Sequence, residues 1–162
     1  MIAERRSSIF FYAICIAICA ASYIILNRNI ELSLLPHKTV LEYLFNFNFV
    51  FIENVGYGQA NGLFTVSRSC MGVKLFINLF VILVFGFLHK YKGMKRKFVA
   101  ITKFYFAALA LAFVITIFRI AASVPFCTWD RFHLIHNTIS LMIYFVAGLV
   151  VYFVMERKLI AG

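Results

Sequence analysis

The feature that most constrains this chain is a set of four apolar runs at 9–26, 71–88, 98–118 and 136–155, each bounded by polar or basic residues. A helix rises about 1.5 Å per residue, so about twenty apolar residues cross the hydrocarbon of a bilayer. Backbone N–H and C=O groups find no water there and must pair within their own segment, which selects helices. The runs therefore predict an all-α integral membrane protein of about four transmembrane helices, in a single membrane domain over 1–162. Composition agrees, because 64% hydrophobic and 14% charged residues leave too few polar groups to cover a soluble domain of this length.

The net charge of +10 raises the question of nucleic acid. The basic residues gather at the ends of the apolar runs rather than along one face, so the expected partner is the lipid bilayer and no nucleic acid. Lys and Arg near helix ends are retained in the cytoplasm. With both termini and the 89–97 loop inside, that side holds Arg5, Arg6, Lys90, Lys92, Lys95, Arg96, Lys97, Lys103, Arg157 and Lys158, the larger share of the basic residues. The first run has no small-residue cleavage site before Asn27-Arg28-Asn29, which favours a retained anchor over a signal peptide.

Between the first and second runs, 39–53 is apolar but interrupted by Glu42, Asn46, Asn48 and Glu53. It is short and polar for a span, and on a helix Glu42, Asn46 and Glu53 share one face. An interfacial or re-entrant amphipathic helix is expected, with a fifth span as the alternative. Gly56, Gly58 and Gly62 then break the pattern, and 63–66 reads as a short extended piece leading into Ser67-Arg68-Ser69-Cys70.

Four cysteines occur without a CxxC pair or zinc-like spacing, so neither a thioredoxin-type motif nor a metal site is signalled, and no cofactor is expected. Cys15 and Cys19 lie mid-helix and read as small apolar side chains. Cys70 differs, because this topology brings three chemically useful groups to one depth. Cys70 opens the second span, Arg119 closes the third, and His136 opens the fourth. A thiol nucleophile, a guanidinium oxyanion donor and an imidazole acid or base are the inventory for acyl transfer from a peptide. A thiol at the first turn of a helix would also feel the positive end of the macrodipole, with Arg68 two residues upstream. Taken singly each residue has a plainer reading: a helix-start Cys, an Arg snorkelling to headgroups, a solvated His. His133 competes with His136 on register.

The segment Gly62-Leu63-Phe64-Thr65-Val66-Ser67-Arg68-Ser69-Cys70-Met71-Gly72 resembles the nucleophile region of the exosortase and archaeosortase family. Phe118-Arg119-Ile120 is similar to that family's Arg at the end of the next helix, and His136-Asn137-Thr138-Ile139-Ser140 to the His that opens the last. The compact branch called exosortase K is the nearest in form. The chain has Cys70-Met71-Gly72 where Cys-Ser-Gly is usual, and Thr116 and Ile117 where an Asn is often found.

The resemblance implies a multi-pass enzyme of the bacterial inner membrane with its active site on the extracytoplasmic side. Its substrates would be secreted proteins whose C-termini carry a motif, a transmembrane helix and a basic tail. Cys70 would be the nucleophile, Arg119 the oxyanion stabiliser and His136 the general acid or base, with a lipid or surface glycan as acceptor.

Two other classes remain open. A four-helix membrane thiol-disulfide protein would use Cys70 and Cys127, against which stands the lack of a vicinal pair. A non-enzymatic subunit or small transporter would be expected to carry an ionisable residue in the middle of a span, and none does.

Overall fold

The computed structural model describes residues 2–59, 64–127 and 132–160, and the side chains of all of these except 2–9, 133 and 158–160. Among the described residues five α-helices and a small sheet follow one another: α1 (Ile2–Arg28), α2 (Ile30–Phe45), β1 (Phe49–Ile52), β2 (Gly56–Gln59), β3 (Thr65–Ser67), α3 (Val73–Phe87), α4 (Met94–Ser123) and α5 (Phe132–Ile160). Four segments, Phe10–Arg28, Arg68–Lys90, Met94–Phe126 and Leu134–Arg157, are long and apolar enough to cross a bilayer. The chain is thus a helical membrane protein, as its apolar runs require, with a three-stranded sheet added outside the spans.

Helix α3 is the axis of the bundle. Leu75, Phe76, Leu79, Phe80, Leu83, Val84 and Phe87 pack with Phe11 and Cys15 of α1 and with Ala100, Ile101, Phe104, Ala108 and Ala112 of α4. Association inside a bilayer rests on close packing rather than on expelling water, and small residues let helix backbones approach. Ala108, Ala112 and Thr116 lie four apart on the buried face of α4, and α3 begins against that row.

Gly72 makes the approach possible. It stands at φ +68°, and a Cβ there would lie 2.2 Å from Thr116 Oγ1. Only a residue without a side chain fits both the left-handed backbone and the contact.

A second cluster caps one end of the bundle. Ile30, Leu34 and Leu41 of α2 pack with Phe49, Tyr57 and Val66 of the sheet and with Cys70, Val73 and Ile120 near the ends of α3 and α4. The strands form an antiparallel meander in which Val50 faces Gly58 and Tyr57 faces Val66. Gly56, at φ +134°, comes so close that a Cβ would lie 2.2 Å from the Val66 carbonyl.

The amphipathic helix expected over 39–53 has other bounds. Helix α2 starts at Ile30, carries Pro36 within it, and stops at Asn46, whose left-handed conformation (φ 53°, ψ 38°) ends the helix. Asn accepts that conformation more readily than most residues. The remainder becomes β1, tied back to α2 where the Phe49 N–H donates to Glu42 Oε1 at 3.1 Å. Glu42 also pairs with Lys38 at 3.5 Å, so Glu42, Asn46 and Glu53 do not share a helical face.

Candidate active site

The strand β3 runs directly into a 3-10 turn, Arg68–Cys70, and the chain crosses Met71 and Gly72 before α3 starts at Val73. Cys70 is therefore not on the first turn of α3, as its sequence position suggests. It precedes the helix by three residues, because the left-handed Gly72 separates the turn from the helix. The thiol is 4% exposed, packed in the capping cluster, with the Ser69 hydroxyl 4.0 Å from its Sγ.

Arg119 lies one turn before the end of α4 and is also 4% exposed. Its guanidinium is clamped on two sides: Nη1 donates to the Tyr144 hydroxyl at 2.6 Å, and Nη2 donates to the Ser69 carbonyl at 3.1 Å. Its Cζ sits 5.4 Å from the centre of the Tyr144 ring, close enough for the ring face to attract it. Nε is buried without a hydrogen-bond partner. Among the described residues the only ion pair is Lys38–Glu42, so none of the described carboxylates lies against this buried cation. A charge in that position normally demands one, or an anion from elsewhere.

His136 lies near the start of α5, half-buried, with Nδ1 2.9 Å from the Ser123 hydroxyl. Ser123 in turn donates to the Arg119 carbonyl at 2.9 Å, and Ser140 donates to the His136 carbonyl at 2.6 Å. Phe132 leans on the His136 ring and on Phe64, next to β3, so the sheet touches the entry of α5. The His133 side chain and Gly62-Leu63, which open the family-like segment, lie outside the described residues.

A cavity of about 450 Å³ joins these groups, lined by Arg119, His136, Ser140 and Tyr144 on one side and by Ser69, Met71 and Gly72 on the other. Arg119 and His136 thus face one space, and Cys70 sits in its wall, between two lining residues but turned into the packing. Tyr144 and Ser123 went unmarked in the sequence. Tyr144 follows His136 and Ser140 at intervals of four, and Ser123 follows Arg119 by four, so helical spacing from the two flagged residues was the available signal.

A larger cavity of about 680 Å³ lies behind the same wall, sharing Met71, Gly72 and Val73 and lined otherwise mostly by apolar groups of the four helices α1 to α4, together with the polar Asn29, Ser33 and His37. His37 of α2 enters it, 4% exposed, edge-on to Phe113 at 4.9 Å. Neither ring nitrogen has a hydrogen-bond partner. Burial pulls this imidazole down to about 4, the Ser33 backbone opposing and the Arg119 charge adding to the shift, so it is neutral at physiological pH. All four cysteines are free thiols, and the described residues contain no cluster of His, Cys, Asp or Glu able to hold a metal ion.

No protein-family model, curated protein or solved structure matches the chain, so the reading of this site rests on its own residues.

Proposed function

We propose that the chain is an exosortase-like cysteine transpeptidase. The observation that carries the reading is the buried Arg119 guanidinium, held at a cavity beside the Cys70 turn with no carboxylate of the described residues paired to it. A site of that kind favours a transition state that brings negative charge to it. The Cys70 thiolate attacks a peptide carbonyl, Arg119 stabilises the tetrahedral oxyanion, and His136 protonates the leaving amine as the C–N bond breaks. A thioester between Cys70 and the substrate remains, and an amine or hydroxyl of a lipid or glycan acceptor resolves it. Because the thiol is turned into the packing, substrate engagement has to open the Arg68–Cys70 turn.

The substrates proposed are membrane-anchored secreted proteins ending in a motif, a transmembrane helix and a basic tail. The distribution of Lys and Arg supports cytoplasmic termini and an extracytoplasmic site; the bacterial inner membrane is what the resemblance implies.

The test is cleavage of a co-expressed sorting-signal substrate in membranes, with the amount of each variant measured first. Cys70→Ala is expected to abolish processing. Arg119→Lys keeps charge but loses the planar fork, and a fall of about 10²–10³-fold is expected. Wild-type processing by Cys70→Ala would sink the reading.

The redox alternative keeps one observation in its favour, since Cys127 packs against the same cluster as Cys70. A Cys70–Cys127 disulfide that forms and reduces reversibly in the membrane would select it.

A further inference from the structure

We infer that the cavity behind the Met71-Gly72-Val73 wall binds a membrane lipid with a free hydroxyl, a long-chain alcohol or a diacylglycerol, whose hydroxyl pairs with His37 and whose chain lies between α1, α2 and α4. The inference does not depend on the transpeptidase reading.

Two independent observations carry it. The first is the space, about 680 Å³, which lies within the range of sites that hold small molecules. Its rim opens sideways, because Ile25, Leu32 and Phe106 line it and are 59%, 71% and 62% exposed. Ile25 and Phe106 belong to segments apolar enough to cross a bilayer, Phe10–Arg28 and Met94–Phe126. What meets the rim in a membrane is therefore hydrocarbon.

The second is His37. It is 4% exposed, and neither ring nitrogen has a hydrogen-bond partner. A neutral imidazole has one N–H to donate and one lone pair to accept with, and leaving both buried and unpaired is costly. The other polar side chains on the lining are engaged: Asn29 donates to the Ile25 carbonyl at 3.0 Å, and Ser33 to the Leu26 carbonyl at 3.1 Å. His37 therefore depends on a partner that enters the cavity.

The chemistry of that partner follows from the lining. None of the described residues there is charged, so a phosphate or ammonium headgroup would shed its water with no charge to receive it. An ester carbonyl can only accept and meets the ring at its N–H alone, whereas a hydroxyl donates and accepts and pairs with whichever nitrogen faces it. Polarity also runs in one direction. His37 packs on Phe113 at 4.9 Å, and Phe106 lies seven residues earlier on α4, about 10 Å further from the Arg119 end of the helix. A lipid with its hydroxyl at His37 and its chain toward Phe106 keeps the order it has in a bilayer leaflet. A peptide helix, about 10–12 Å across, would overfill the space within two turns. Met71 and Gly72 line this cavity and the one at Arg119 alike, so the bound chain backs the residues that follow Cys70.

The test uses the full chain in phospholipid nanodiscs, with hexadecanol carrying a photoreactive diazirine in its chain as the probe and mass spectrometry to locate the labelled residues. Saturable labelling is expected at Ile25, Leu32 and Phe106, displaced by unlabelled hexadecanol or dioctanoylglycerol but not by hexadecane. His37→Leu keeps the lining apolar and removes the polar partner, and should weaken apparent affinity about tenfold. Ala110→Phe narrows the cavity from the α4 side and should abolish saturable labelling with His37 in place.

Displacement by hexadecane as readily as by hexadecanol would show that the hydroxyl is not recognised and overturn the inference, and that comparison needs no variant. Labelling spread equally over Val146 and Val150 on the outer face of α5 would overturn it as well, as would unchanged affinity in a folded His37→Leu. Displacement by a transmembrane peptide and not by hexadecanol would make the cavity a helix groove, which also defeats the proposal.

Discussion

Helices α3 and α5 are both apolar enough to cross a bilayer, yet they are used in opposite ways. In α3, 61% of the apolar window is buried against the rest of the chain; in α5 the share is 0%. Even so, α5 brings His136, Ser140 and Tyr144 to the cavity, and α3 begins only after the Cys70 turn has passed. Within a bilayer an outer face needs no covering, because lipid is as apolar as the side chains it meets. A helix can therefore have one polar edge at a site and otherwise serve as a lipid-facing wall. The packed helix holds positions still, and the exposed one supplies polar side chains to the cavity.

The largest test of this contrast is a matched pair of truncations. Phe80 of α3 is 0% exposed and Phe145 of α5 is 67% exposed. Phe80→Ala leaves a cavity that neighbours fill only partly and should cost about 3–5 kcal/mol. Phe145→Ala trades ring contacts for lipid contacts and should cost under about 1 kcal/mol. Unfolding in mixed micelles measures both, and equal losses would show that α5 is as firmly packed as α3.

Helix α2 supplies a third case, buried but holding an unpartnered polar ring. The His37 imidazole is neutral and titrates near 4 when folded, against about 6.5 when exposed. The unfolded chain then binds more protons between those values, so stability present above about pH 6.5 is lost as the pH falls toward 4, by about 3 kcal/mol at most. His37→Phe should remove that part of the acid sensitivity. An acid-unfolding curve identical to that of the wild type would place the sensitivity elsewhere.

The start of α3 can be probed with glycines. Gly72→Ala meets both a left-handed backbone and the Thr116 hydroxyl, and should destabilise by about 2–3 kcal/mol. Gly93, at φ +86° with nothing within 4 Å, carries only the backbone penalty, so Gly93→Ala should cost about 1–3 kcal/mol. A smaller effect than at Gly72 is expected on α5, where Tyr144→Phe removes the 2.6 Å bond from Arg119 at about 1–2 kcal/mol. Its sharper readout is processing, which should fall while the melting temperature moves little.

The spans were legible because length and apolarity alone dictate them: the runs at 71–88, 98–118 and 136–155 lie over α3 (Val73–Phe87), α4 (Met94–Ser123) and α5 (Phe132–Ile160). The capping region was harder to read. Asn46 can end a helix or continue it, and its left-handed conformation is settled by packing of β1 on α2 rather than by neighbouring residues. The site was half legible. Cys70, Arg119 and His136 stood out by chemistry at helix ends, but Ser123 and Tyr144 belong to residue types common in apolar helices, and only their partners across α4 and α5 distinguish them.

Antiparallel pairing of β2 and β3, which sets Tyr57 opposite Val66, fixes the starting point of the turn that bears the thiol. Strand residues advance about 3.3 Å each and alternate faces. A slip of one residue would carry Cys70 that far along and expose the Val66 side chain now at 0%. The address of the thiol is thus written in main-chain hydrogen bonds, indifferent to many changes of side chain on the open face of the sheet but intolerant of a change in count. An insertion of a single residue between Ile52 and Gly56 can be absorbed by the turn there; the same insertion between Val66 and Cys70 has nowhere to go.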